Sequence, residues 1–123
     1  MKHQVILSIA SNRFQSKNLS RARLCLGEVL QDLHFTSEQW TQPVNTCRRD
    51  TYLNQLATGI TEKDEDELNE WLKQTERRFG RNDAKRRLGI VPIDLDILLY
   101  DEQRLHERDW QRPYVADLLQ QLQ

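Results

Sequence analysis

Cysteine, glycine, proline and aromatic residues are all scarce in this 123-residue chain, which has two Cys, four Gly, three Pro and 7% Phe, Trp and Tyr. Cys25 and Cys47 lie far apart and in no metal-like pair, so neither a disulfide framework nor a zinc knuckle is expected, and both read as free thiols. No glycine-rich Walker loop and no kinase-type signature occurs, which turns the reading away from the familiar nucleotide-binding scaffolds. No run approaches the ~18 apolar residues of a membrane span. The opening stretch has one Lys and a short apolar run but no cleavage signature, so a cytosolic protein is expected. Excess charge of one sign is missing too. With 18 basic and 19 acidic residues the net charge is -1, which leaves no bulk field to draw a polyanion and argues against a nucleic-acid partner.

What is present describes one domain over residues 1–123 with a modest core and a heavily solvated surface, 37% hydrophobic and 30% charged. Val5, Ile6, Leu7 and Ile9 read as a short buried strand ending at Ser11-Asn12. From Asn18, apolar residues Leu19, Ala22, Leu26, Val29, Leu30 and Leu33 recur at helical spacing. A weakly patterned extended segment follows over residues 34–41, and Pro43, Asn45, Arg48 and Arg49 mark a loop. Residues 52–60 read as a strand with Leu53, Gln55 and Ala57 on one face and Tyr52, Asn54 and Leu56 on the other.

Asp64 and Glu67 have the spacing of a capping box, and Leu68, Trp71, Leu72, Thr75 and Phe79 trace a helical stripe up to Gly80. Residues 81–89 are basic and without period, and are expected to form a mobile exposed loop. Residues 92–100 alternate, with Ile93, Leu95, Ile97 and Leu99 opposite Asp94, Asp96, Leu98 and Tyr100. Pro113 suits the first turn of a last helix that presents Val115, Leu118, Leu119 and Leu122. The order β-α-β-β-α-β plus a C-terminal helix predicts an α+β, ferredoxin-like sandwich: an antiparallel sheet with helices on one face and the other face open to ligands.

Asp94 and Asp96 carry the clearest chemistry. Carboxylates at i and i+2 of a strand point the same way about 6.5 Å apart and can share a metal cluster. Oxygen-only ligands suit Mg²⁺, which takes one or two carboxylates and completes its shell with water and phosphate. The bland alternative is a polar edge-strand face in water, but the apolar flanks argue for burial, where unpaired charges are costly. The basic loop just before offers arginines that bind phosphate oxygens in planar, bidentate fashion, although such a loop is also an ordinary solvated turn. Together the two features make the electrostatic kit of phosphoryl or pyrophosphoryl transfer.

Gly80-Arg81, Arg87, Gly89 and the run Ile93-Asp94-Leu95-Asp96-Ile97-Leu98-Leu99-Tyr100 resemble the signature of hydroxymethyl-dihydropterin pyrophosphokinase, a folate-pathway family. Ser11-Asn12, the segment 41–43 with Tyr52-Leu53-Asn54, and Arg112-Pro113-Tyr114-Val115 resemble further family motifs in the same order along nearly the whole chain. The resemblance implies pyrophosphate transfer from ATP to hydroxymethyl-dihydropterin by a monomeric cytoplasmic enzyme, with two Mg²⁺ held by Asp94 and Asp96. It implies that Asn54, Tyr52 and Tyr114 bind the pterin with help from Thr41 and Val44. Gln74, Glu76, Ile97 and Arg112 would lie on the nucleotide side, and Arg81 and Arg87 would clamp the triphosphate catalytically. Each has a plainer alternative, the tyrosines as core aromatics, Asn54 as a satisfied strand residue, Glu76 as an exposed helix residue.

The chain also departs from the family pattern. Leu88 and Val91 stand where the family has Trp and Arg, Asp83 where it has a base, and Ala10 where it has glycine. The histidine-containing segment between the D-x-D strand and Arg112 is expected to be missing. These departures keep open a non-catalytic or substrate-drifted pterin- or nucleotide-binding homologue. A third class, an RNA-binding module, shares the topology but needs an aromatic-rich strand that is not found here.

Overall fold

The expected β-α-β-β-α-β order is present, elaborated by short extra elements. The computed structural model describes residues 1–42 and 51–122. In chain order they form β1 (His3–Ser11), α1 (Gln15–Leu26), β2 (Gln31–Phe35), β3 (Gln39–Thr41), β4 (Tyr52–Thr61), α2 (Glu65–Arg78), α3 (Asp83–Arg87), β5 (Asp94–Tyr100), β6 (Gln103–Arg104), α4 (Glu107–Trp110) and α5 (Pro113–Leu119), with a final 3-10 turn (Gln120–Leu122). Strand order is β2-β4-β1-β5-β6, with β3 also on β4 and every pairing antiparallel. Val44 and Cys47, and the loop read at Pro43, Asn45, Arg48 and Arg49, lie outside the described residues.

Alternation in β1 and β4 separates two cores. On one face, Val5, Leu7, Ile9, Leu53, Ala57, Leu95 and Ile97 meet Leu19, Ala22 and Leu26 of α1 and Leu68 and Leu72 of α2. Each such fully buried Leu or Ile contributes about 1.5–3 kcal/mol of transfer free energy. On the other face, Leu56 and Leu98 pack against Val115 and Leu118 of α5. The second face is therefore not wholly open, as the sequence reading has it. α5 covers part of it, and the uncovered part becomes the site. Pro113 stands in the first turn of α5, as expected.

Four local expectations are corrected. α1 begins earlier than Asn18 and ends at Leu26, because tight bonds from Glu28 N to Cys25 O and Val29 N to Leu26 O turn the chain. Leu30 stays buried beyond the helix and Leu33 belongs to β2, so apolar spacing alone ran two elements together. Residues 81–89 are not without structure, since the Asn82 side chain accepts from Lys85 N at 2.8 Å and caps α3, a signal overlooked in a basic run. β5 starts at Asp94, two residues later than the alternating segment 92–100 suggests.

The fourth concerns Tyr100. Ile6 faces Leu99 while Leu7 faces Ile97, so Leu98 is an extra residue, a β-bulge. Past it the faces exchange, and Tyr100 packs on the helix side with its hydroxyl donating to Lys63 O at 2.7 Å. Among the described residues no helix is long and apolar enough to cross a membrane.

The capping box at α2 is complete: Asp64 accepts from Glu67 N at 2.8 Å and Glu67 accepts from Asp64 N at 3.1 Å. Asp64→Ala is expected to cost about 1 kcal/mol and Leu72→Ala about 2–5 kcal/mol in urea melts. A Leu72 variant no less stable than the Asp64 variant would contradict this packing.

Candidate active site

On the sheet face away from α1 and α2 lies a cavity of about 670 Å³. Its floor is small or polar because Ser8 and Ala10 of β1 and Asn54 of β4 point there, where larger side chains would fill it. Asp94 and Asp96 stand on one side of the floor, opposite Ala10 and Ser8. Tyr52 and Thr41 stand on the other, and Arg112 and Tyr114 close the cavity from the start of α5. Asn12 fixes the rim: its side chain donates to Gly89 O at 2.8 Å and accepts from Val91 N at 2.6 Å.

The two aspartates are held by cations from behind. Arg81 Nη1 donates to Asp94 Oδ1 at 2.9 Å, and Lys73 Nζ donates to Asp96 Oδ1 at 3.0 Å and to Leu95 O at 2.9 Å. Between them sits Glu76, 5% exposed. Its Oε1 pairs with Arg81 at 3.0 Å, and its Oε2 accepts from Lys73 at 3.1 Å and from Leu95 N at 2.7 Å. Burial of these charges is tolerable only because each is bonded on several sides.

The pair titrates unequally. Burial raises the Asp94 carboxyl, but the Arg81 guanidinium outweighs it and holds the group below its ordinary value. Burial and the neighbouring Asp94 charge push Asp96 up against the pull of Lys73. Glu76 is raised by burial despite the Leu95 N–H, Lys73 and Arg81. Burial lowers Lys73, yet Asp96 and Glu76 more than compensate and keep it a cation.

Among the described residues no group of three or more His, Cys, Asp or Glu is placed to hold a metal ion. Two adjacent carboxylates are instead the donor set of an ion that takes its remaining ligands from water and phosphate, so the residues present fit Mg²⁺ bound together with a nucleotide. Lys73 and Arg81 already neutralise the oxygens such an ion would use.

Seven of the residues singled out in the sequence, Thr41, Tyr52, Asn54, Asp94, Asp96, Arg112 and Tyr114, line this one cavity. Arg81 joins them through Asp94. The Asn54 amide nitrogen donates to Thr41 Oγ1 at 2.7 Å and Gln39 O at 3.0 Å, so both its hydrogens are spent and toward a ligand the group can act as acceptor. Arg112 pairs with Asp109 at 3.4 Å. Other residues are not brought in. Gln74 is exposed on α2 and bonds Glu70 at 3.1 Å, Arg87 is exposed on α3, and the Ile97 side chain is buried in the helix-side core, leaving only its main chain for a ligand. Glu76 is no exposed helix residue, and both its oxygens are engaged within the protein.

Sequence reasoning overlooked Lys73, whose signal was its place three residues before Glu76 on the same helix face. Nor did it single out His106, whose Nε2 lies 3.9 Å from Asp96 Oδ1 in the stretch between β5 and Arg112. Its φ of 56° turns the chain just before α4.

A family model described as 7,8-dihydro-6-hydroxymethylpterin-pyrophosphokinase matches residues 6–123. The chain is 34% identical over 93% of its length to a mitochondrial folate synthesis bifunctional protein of Arabidopsis thaliana. It is 36% identical over 61% of its length to a second such protein of that plant, and 32% identical over 58% to one of Chlamydia trachomatis. These alignments cover 22%, 17% and 18% of the relatives, so the chain spans about a fifth of their length.

The unequal titration sets a pH dependence in chelator. A raised carboxyl is charged at a cost in the folded state, so Asp96 lowers stability above its raised pKa and costs nothing below its ordinary value of 3.8. Asp94, lowered, has the opposite sign and adds stability that is lost on acidification below 3.8. Asp96→Asn is therefore expected to raise the melting temperature of the metal-free protein at neutral pH, the gain vanishing below pH 3.8. A variant that melts below the parent at neutral pH contradicts the assignment.

Proposed function

The chain belongs to the 7,8-dihydro-6-hydroxymethylpterin-pyrophosphokinase family, and from that premise we propose that it transfers pyrophosphate from ATP to 6-hydroxymethyl-7,8-dihydropterin, releasing AMP. The observation that carries this reading is the joining, in one cavity, of the Asp94/Asp96 pair and an aromatic, hydrogen-bonding end formed by Tyr52, Asn54 and Tyr114. A pterin presents a flat ring to stack on the tyrosines and N–H groups for the Asn54 carbonyl, which is free to accept once the amide hydrogens are committed. Thr41 and Val44 complete that end in this reading.

At the other end Asp94 and Asp96 would hold two Mg²⁺ together with the triphosphate. When bound, the ions supply charge neutralisation across the transferred phosphates. Arg81 and Arg87 add guanidinium donors, and Arg112 and the main chain at Ile97 face the nucleotide. In the reaction the pterin hydroxyl oxygen bonds to the β-phosphorus, the bond from that phosphorus to the α–β bridging oxygen breaks, AMP departs with the electron pair, and the hydroxyl proton passes to solvent. The contribution of the protein is positioning plus electrostatic stabilisation, with no covalent enzyme intermediate. The reading takes the protein as a cytoplasmic monomer acting on small molecules.

The loop favours a second reading. Leu88, at a family tryptophan position, is 59% exposed, and Asp83 and Val91 stand where the family pattern has cations. A homologue that binds pterin without turning it over would show this pattern.

The assay that separates them combines ATP and hydroxymethyl-dihydropterin with and without Mg²⁺. AMP that forms only when all three are present supports the enzyme. Pterin binding by calorimetry without AMP at high protein concentration overturns it. Because Arg87 is exposed and outside the core, Arg87→Ala is expected to cut kcat by about 10²- to 10³-fold at an unchanged melting temperature. An unaffected kcat removes Arg87 from the triphosphate clamp.

A further inference from the structure

Behind the rim of the cavity lies a second cleft of about 290 Å³. Four cations converge on it: Arg13, Lys17 and Arg21 from the α1 side and Lys85 from α3. Among the described residues none of the four lies within ion-pair distance of a carboxylate, and Arg21 donates instead to the neutral Asn18 Oδ1, at 3.5 Å. Four like charges around one small cleft repel each other in a protein whose net charge is only -1. An anion seated there would turn that repulsion into attraction.

The cleft is also shaped. Phe14 adopts a left-handed conformation, φ 47° and ψ 50°, which is strained for a phenylalanine, and its ring is left 67% exposed. The Arg13 guanidinium lies 5.3 Å from the Phe14 ring and the Arg21 guanidinium 4.2 Å from that of Phe79, so two of the cations are braced on aromatic faces. Asn18, buried, fixes the same corner by donating to Arg13 O at 2.7 Å.

The segment 89–92 alternates between the two sites. Gly89 and Val91 face the large cavity, and Ile90 and Pro92 face the cleft. Asn12 clamps its cavity side through Gly89 and Val91, so a group pressed against the other side bears on the same wall.

We propose that this cleft is a second anion site for a small phosphate-bearing molecule, and that its occupancy is transmitted to the cavity through the segment 89–92. The arginines and lysines bind the phosphate, and the volume, at the lower end of ligand pockets, limits the rest of the molecule to something compact.

The test is an amide NMR titration of the full chain with inorganic phosphate at constant ionic strength in chelator. The expected result is saturable movement of the Lys17, Arg21 and Lys85 resonances together with Val91. A Lys17→Gln/Arg21→Gln double variant, changed only at exposed helix positions, should weaken the affinity at least about tenfold, as should Lys85→Gln from the opposite wall. Repeating the titration with a nucleoside monophosphate distinguishes free phosphate from a nucleotide source, since only a stacked base gives nuclear Overhauser contacts between its own protons and the Phe14 ring. Movement that is linear in phosphate, reproduced by sodium chloride or unaltered in the variants overturns the site, and a static Val91 resonance overturns the transmission.

Discussion

The buried carboxylate of Glu76 is the contact on which the site depends. From the inner face of α2 it accepts the main-chain N–H of Leu95 between the two aspartates, and at the same time it anchors Lys73 and Arg81, the cations that balance them. Two negative groups at the mouth of a strand can stay together only if positive charge is fixed nearby, and that fixing runs through one residue. The helix is held in turn by its capping box and by Leu68 and Leu72 in the core. Packing, cap and charge thus converge on the position of a single acid.

Much of this was legible from residue order. In β4 the two-residue period of a strand assigned the faces correctly, Leu53 and Ala57 to the helix side and Tyr52, Asn54 and Leu56 to the other, whereas β1 was read only as a short apolar strand. Asp64 with Glu67 named the start of α2, and the D-x-D pair named the site. Legibility failed where two structures share one pattern. Apolar residues from Leu19 to Leu33 kept a helical spacing through a turn and into β2, because the turn also packs on the core. The bulge at Leu98 left no mark in an unbroken apolar run, so Tyr100 was assigned the wrong face.

The electrostatics were legible only in part. Sequence offers types of residue but not which ones meet: Lys73 and Gln74 are neighbours on α2, yet a 100° step around the helix sends one into the aspartate network and the other to solvent. His106 lies in a polar stretch with no period to announce its approach to Asp96. The short α3 shows the reverse case, in which an asparagine cap gave order to a run read as loop.

Three of the four departures from the family pattern, Asp83, Leu88 and Val91, fall in or beside α3, and the fourth, Ala10, lies in β1 on the cavity floor, while Asp94 and Asp96 stand paired with Arg81 and Lys73. In the proposed function Asp94 and Asp96 would receive divalent ions in company with a nucleotide, and Lys73 and Arg81 would give up the aspartate oxygens. Mn²⁺ bound in place of Mg²⁺ can be counted by electron paramagnetic resonance, with and without a nonhydrolysable ATP analogue. The account predicts weak binding alone, strong binding of two ions with the analogue, and loss of both in Asp96→Asn. Equal Mn²⁺ binding by that variant would contradict it.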